Sequence, residues 1–238
     1  MDKYNIITVL NEDYMGFGIL FFNSLFDNVD LENINNIYIF DTGLQPKSKE
    51  YLNFFPKVNF VETDKKTKFK KMHDKDWQEN VYSKTEYLLA TIKKDNLPTI
   101  MIDSDCIFVY DFMDLIDKNK DFVATRRNRS GFSNHIGSFF VINNVDKAQE
   151  FLQDWIEEIK KGNEKHKESP ALSRVINTGK YNVGELKEEI ISYFGRHTVD
   201  DVPDNVRIIH MKSDAGLETI DKRMRQPHVF KYVQRYFR

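Results

Sequence analysis

The segment Thr99-Ile100-Met101-Ile102-Asp103-Ser104-Asp105-Cys106-Ile107-Phe108 constrains this chain more than any other. Ile100 to Ile102 offer no polar face, the pattern of a strand buried on both sides. Pro98 stands just before the segment, where a missing N–H costs least. Two carboxylates then come one residue apart, and Cys106-Ile107-Phe108-Val109 is apolar again. The acids interrupt a hydrophobic segment rather than end one. In an open α/β sheet, ligands bind in the crevice beyond the C-terminal ends of the strands. Asp103 and Asp105 can both present oxygen there. Two anionic oxygens suit a hard divalent cation that also carries phosphate oxygens. A solvated turn with two acids is the plainer alternative, and the returning apolar residues weigh against it.

Upstream, strand and helix patterns alternate. Ile6 to Leu10 reads as a first strand, followed by the turn-formers Asn11-Glu12-Asp13-Tyr14. Gly16 to Phe26 is apolar nearly all round and reads as a buried helix. Ile37 to Phe40 is a second strand ended by Asp41-Thr42-Gly43. Ser48 to Phe55 reads as a short helix, and Val58 to Val61 as a third strand. This order predicts a parallel βαβ series. Lys65 to Lys71 is a basic run flanked by Asp64, Asp74 and Asp76, either a solvated loop or a phosphate-attracting one. Val81 to Lys93 reads as a helix with Lys84 in its first turn. The helix dipole does not favour a cation there, so Lys84 is either a surface lysine or held for an anionic partner.

Downstream, Asp111 to Asp117 reads as a short acidic helix, and Phe122 to Thr125 as a strand leading to Arg126, Arg127 and Arg129. His135 to Asn143 is a further strand. Val145 to Lys160 spaces Ala148, Phe151, Leu152, Trp155, Ile156 and Ile159 at helical intervals, a structural helix. Pro170 starts another helix through Ile176. Val206 to Lys212 is a last strand. The tail from Met224 to Arg238 is basic and aromatic, suited to packing on the domain, to an acidic acceptor or to a membrane surface.

A length of 238 residues allows one large domain or two small ones, and the apolar and charged fractions of 40% and 30% are those of a soluble globular chain. A net charge of −2 gives no reason to expect nucleic acid. One cysteine excludes an internal disulfide framework and a cysteine zinc site, and fits a reducing compartment. The longest apolar stretch, Gly16 to Phe22, falls far short of the roughly 20 residues that span a bilayer. The first residues run directly into a strand with no secretory signal pattern. The expectation is a soluble, cytoplasmic protein without a transmembrane segment.

Asp103-Ser104-Asp105, after Ile-Met-Ile and before Cys-Ile-Phe-Val, resembles the DxD motif of nucleotide-sugar glycosyltransferases with the GT-A fold. The resemblance covers most of the chain by element order. It implies an α/β fold: one GT-A-like, Rossmann-like domain over residues 1–238, with a central, mostly parallel sheet flanked by helices. Residues 1–110 would form the nucleotide-binding half and 111–238 the acceptor side. It implies a metal-dependent transferase moving a sugar from a nucleoside-diphosphate sugar to a glycan or other acceptor. Asp103 and Asp105 would hold Mn²⁺ or Mg²⁺, with Ser104 between them at the donor.

The same resemblance assigns further residues. Thr8, Asn11 and Tyr14 match places that contact the base and ribose, where the Tyr14 ring could stack on the base; Tyr14 could equally cap the following helix. Asp41 is a second base or ribose candidate, though an aspartate at a strand end is common for turn reasons. Lys84 matches a basic residue that reaches the donor's phosphates. Glu168 matches the acidic residue facing the sugar, with Asp154, Glu157, Glu158 and Glu164 nearby. Asn134-His135-Ile136-Gly137 is a loose version of an Asn-(small)-Gly segment. His210 and Lys212 look like the pair that, in the glycogenin-like branch, completes the metal site and contacts the diphosphate. The Gly-x-x-Lys-Pro-Trp ending of that branch is absent. Taken alone, His210 reads as a core histidine; Lys212 and the upstream acids favour the ligand. Arg126, Arg127 and Arg129 would line the donor or acceptor side. A haloacid-dehalogenase-type phosphatase shares a strand followed by Asp-x-Asp, but there the motif opens the chain. A nucleotide-sugar-binding module without activity is the other rival.

Overall fold

The computed structural model describes residues 3–67, 75–128, 134–162, 168–193, 203–211, 232 and 234–237. Its strands are β1 (Tyr4–Leu10), β2 (Ile34–Asp41), β3 (Val58–Glu62), β4 (Thr99–Ile102), β5 (Cys106–Phe108), β6 (Phe122–Arg126), β7 (His135–Ile142), β8 (Val183–Lys187) and β9 (Ile208–His210). The helices are α1 (Met15–Asn28), α2 (Pro46–Leu52), α3 (Lys75–Asp95), α4 (Val145–Lys161), α5 (Glu168–Asn177) and α6 (Glu188–Ile191). The main sheet runs β3-β2-β1-β4-β7-β6-β8, and β5 pairs with β9 in a separate ribbon. The pairings β1–β2, β1–β4, β2–β3 and β6–β8 are parallel, and β7 runs antiparallel to β4 and β6. The sheet is mostly parallel, as expected, and it continues past residue 110.

Alternating side chains on the central strands face two cores, because successive residues of a strand point to opposite sides. Ile6, Ile37, Ile100 and Phe139 join Phe21, Phe22 and Leu25 of α1 in one layer. Ile7, Met101 and Phe140 join Phe151 and Trp155 of α4 in the other. All four residues of β4 are buried, which explains why its sequence has no polar face. α4 forms where the apolar spacing predicts it. The Asn144 side chain accepts from the Asp146 amide at its start, and Lys160 and Lys161 complement the dipole at its end.

Three expectations are corrected. α3 begins at Lys75, six residues before the expected start, because its first turns are polar and carry no hydrophobic period. Lys84 therefore lies in the body of the helix. Asp111 to Asp117 is not a helix; only Met113–Leu115 makes a 3-10 turn. The Asp111 carboxylate accepts from the Met113 amide and Asp117 from Asn119, local bonds that compete with helix formation. The edge strand β8 and the short α6 are additional elements. Gly184, Glu185 and Lys187 give β8 no apolar period.

Near the end of the chain, Tyr232 and Tyr236 pack against Phe17, Leu20, Ile209 and Met211, and Arg235 donates to Asn28 Oδ1. These described tail residues lie on the domain.

Candidate metal and donor site

The acids after β4 sit in a β-turn. The Cys106 amide donates to the Asp103 carbonyl at 3.2 Å, so Asp103 and Asp105 occupy the first and third turn positions. The chain then enters β5 and pairs antiparallel with β9, with Cys106 opposite His210. The Met211 amide donates to the Asp105 carbonyl at 2.9 Å. That ribbon is pinned to α1: the Phe108 amide donates to Ser24 Oγ, and Asn28 Nδ2 donates to the Phe108 carbonyl. Strand pairing thus carries His210 across more than a hundred positions to the acid pair. Its Nε2 lies 3.2 Å from Asp105 Oδ1 and 3.7 Å from Asp103 Oδ2.

Among the described residues, the potential ligands whose atoms lie within 4.8 Å of one another are Asp105, Cys106 and His210; Asp103 is not in that group. Cys106 belongs to the apolar cluster with Ile102, Phe108 and Phe139, and a buried thiol is a soft, weakly acidic donor. The two carboxylates and the imidazole are the better match for a hard or borderline divalent cation. The residues fit such an ion by type, and His210 Nε2 lies near an oxygen of each acid.

Lys84 reaches this site from α3. Its Nζ donates to Asp103 Oδ1 at 2.7 Å and lies 3.0 Å from Glu168 Oε1. Burial alone would lower the Lys84 ammonium, but the charges of Asp103 and Glu168 hold it above the ordinary lysine value. One cation shared by two carboxylates leaves an anionic surplus. Burial raises the Glu168 carboxyl, helped by the charge of Asp103 and opposed by Lys84 and Arg127. Glu168 opens α5 and lies across β7. A Cβ at Gly137 would come within 2.6 Å of Glu168 Oε1, so any side chain there would push this carboxylate from its place. The Trp155 indole N–H donates to the Glu168 carbonyl at 3.1 Å, which holds α5 on α4.

The residues expected around the nucleotide divide. Thr8 is buried at the end of β1, and its Oγ1 has no hydrogen-bond partner among the described residues. Asn11 uses its carbonyl oxygen to cap the turn Glu12–Tyr14 and donates from Nδ2 to the Thr67 carbonyl. Tyr14 makes no side-chain cap bond to α1; its ring packs 5.6 Å from Phe17. Ser104 is buried in the turn between the acids. Asp41, expected as a base or ribose contact, is engaged inside the fold. Its side chain is wholly buried; Oδ1 accepts from the Gly43 and Leu44 amides at 2.7 Å, and Lys49 Nζ lies 2.5 Å from Oδ2. Lys212 and Arg129 lie outside the described residues. Arg126 and Arg127 meet Glu185 and Glu188 instead, at 2.6 and 3.6 Å, and border a cleft of about 440 Å³ with Asn128, Lys187, Glu189 and Asn205.

Sequence reasoning passed over Ser138 and Ser192. Ser192 Oγ lies 2.8 Å from His210 Nδ1 and 3.1 Å from Ser138 Oγ, and the Ser138 carbonyl accepts from the Asp103 amide. Isolated serines carry no signal of such a role. Gly137 had one, in the Asn134–Gly137 segment.

Residues 43–226 match the family profile described as nucleotide-diphospho-sugar transferase. The fold is similar to that of WbbM, a bifunctional glycosyltransferase in its apo form, with a TM-score of 0.64 at 12% identity over 100% of this chain. That match covers 52% of the WbbM chain, so this chain spans about half its length. An active-site mutant of LgtC aligns with a TM-score of 0.63 at 10% identity, over 93% of this chain and 94% of that one. At these identities the likeness shows the fold. No curated protein matches the chain in sequence. Among the described residues no helix is long and apolar enough to cross a membrane.

Proposed function

The chain belongs to the nucleotide-diphospho-sugar transferases and has the GT-A fold, and from that premise we propose that it is a metal-dependent glycosyltransferase acting on a glycan or other small acceptor. The observation that carries the metal dependence is His210 Nε2 lying 3.2 Å from a carboxylate oxygen of Asp105 and 3.7 Å from one of Asp103, side chains of the right donor types. In this reading they hold Mn²⁺ or Mg²⁺. When bound, the cation supplies charge neutralisation on the leaving diphosphate of the donor. A nitrogen ligand beside two oxygens favours Mn²⁺ over Mg²⁺.

The chain's own residues do the rest. Lys84 adds a buried positive charge beside Asp103, directed at the donor's phosphates, with Lys212 as a second cation there. Thr8, Asn11, Tyr14 and Ser104 line the donor, with the buried Thr8 hydroxyl free to bond the nucleoside. Glu168 faces the transferred sugar, held by Lys84 over the Gly137 gap. In this reading the cleft bordered by Arg126 and Arg127 takes the acceptor. One domain then houses both halves, a reading that the sheet's continuation past residue 110 supports. A cytoplasmic placement fits the buried lone cysteine.

The phosphatase reading loses ground to the family match, and its motif would have to sit on the fourth strand rather than the first. The test is a Mn²⁺ and Mg²⁺ titration against a panel of sugar nucleotides, with donor hydrolysis and binding as readouts. Metal-dependent binding of at least one sugar nucleotide is expected. Metal-independent binding throughout would overturn the metal site, and no binding of any donor would overturn the transferase reading of this pocket.

A further inference from the structure

An imidazole that offers Nε2 to a metal must carry its proton on Nδ1, and something must hold that N–H. His210 Nε2 faces the two aspartates. On the far side of the ring, Ser192 Oγ lies 2.8 Å from Nδ1, and Ser138 Oγ lies 3.1 Å beyond it. All three side chains are buried, so water does not compete for these bonds. Ser138 also touches the other end of the ligand set, because its carbonyl accepts from the Asp103 amide at 2.9 Å.

The fold delivers this arrangement through an irregularity in β7. Ala124 of β6 faces Phe140, and the next residue, Thr125, faces Ile136. Gly137, Ser138 and Phe139 are left outside that ladder. Such bulges re-aim side chains beside functional sites. Here Gly137 makes room for Glu168, while Ser138 turns its hydroxyl to Ser192.

We propose that Ser192 is a positioning residue of the metal site: it accepts from His210 Nδ1–H, fixes the tautomer that leaves Nε2 as the ligand, and is anchored by Ser138. The proposal rests on Asp103, Asp105 and His210 holding the cation. A serine hydroxyl suits the task because it accepts from the ring and donates to its neighbour at once. Outer partners of this kind are worth about 10–100-fold in metal affinity.

The test is Mn²⁺ binding to the full chain, followed as loss of free Mn²⁺ signal by electron paramagnetic resonance, with no donor present. Ser192→Ala is expected to weaken Mn²⁺ binding by about 10-fold or more. The same change in a His210→Ala background is expected to add nothing, since a residue acting through the imidazole has no effect once the imidazole is gone. Thermal melts identify the folded variants. Should Ser192→Ala fail to fold, Ser138→Ala carries the same cycle one bond further out, with a smaller loss that again disappears without His210. Unchanged Mn²⁺ affinity in folded Ser192→Ala, or an equal loss with and without His210, overturns the positioning role and leaves the metal site standing. Wild-type protein that binds no Mn²⁺, or His210→Ala that binds it as well as wild type, overturns the metal reading and the positioning role with it.

Discussion

Asp41 and Asp103 stand at equivalent places, at the C-terminal ends of β2 and β4, the two parallel strands that flank β1. The chain uses them in opposite ways. After Asp41 it folds back at once through Thr42 and Gly43, whose positive φ of 134° lets two amides turn onto the carboxylate. Lys49 closes the other oxygen. After Asp103 the chain makes one tight turn and leaves along β5, so nothing of its own backbone covers the carboxylate. Lys84 and His210, from remote elements, meet it instead. A strand-end acid is therefore a structural cap or a candidate ligand according to what the next few residues do with their amides.

The largest effect that can break this contrast is at Lys84. Removing it leaves Asp103 and Glu168 facing each other in a buried site. Lys84→Ala is expected to cost about 3–5 kcal/mol in denaturant unfolding, as for other buried pairs that lose one partner. The raised Glu168 carboxyl favours its protonated form in the folded state. Its contribution is present at low pH and lost as pH rises through the raised value. Lys84→Ala should therefore regain stability on mild acidification. A variant that melts like wild type at neutral pH would show that the lysine is dispensable to the fold.

Asp41→Ala comes next. It orphans the Gly43 and Leu44 amides and leaves the Lys49 ammonium with Glu62, for an expected loss of about 1–3 kcal/mol. Affinity for the sugar nucleotide should hold once the protein is folded, because both Asp41 oxygens are engaged by Gly43, Leu44 and Lys49. A folded Asp41→Ala protein with much weaker donor binding would restore Asp41 to the nucleotide site.

The smallest effect is on the acid limb of stability. Burial would raise the Asp41 carboxyl, but the Leu44 and Gly43 amides and Lys49 bring it below the ordinary 3.8. The stability it contributes is present above that value and lost as pH falls through the lower, folded-state one. Asp41→Asn should flatten the fall in melting temperature below about pH 4. An unchanged acid limb would mean that other carboxylates, such as Glu158 held down by Arg174, carry it.

Much of the fold was legible because its central strands are covered on both faces and announce themselves as apolar runs. Thr99 to Ile102 and His135 to Ile142 are the clearest cases. β8 was not legible, since a strand with Gly184, Glu185 and Lys187, at the edge of the sheet among the described residues, has a half-wet face. The start of α3 was hidden for a related reason. That Lys84 has an anionic partner followed from a helix start that does not exist; the partners are there because α3 packs its third turn over the end of β4. The acid pair could be read from the sequence because it breaks an apolar segment. Its meeting with His210 followed only from a family resemblance, since the β5–β9 pairing is non-local. The hydroxyl chain behind His210 links residues 18 and 54 positions apart and had no local signature.

Mn²⁺-dependent affinity for the sugar nucleotide in Asp105→Ala tests the central claim most directly. Asp105 sits past a buried strand with one carboxylate oxygen 3.2 Å from the His210 ring, and its removal leaves the β-turn backbone intact. Loss of one of few charged ligands is expected to weaken Mn²⁺-dependent donor binding by at least about 100-fold, the upper end of what outer-shell partners contribute. The melting temperature should stay close to that of wild type. A folded Asp105→Ala protein that binds the donor with unchanged Mn²⁺ dependence would contradict the account.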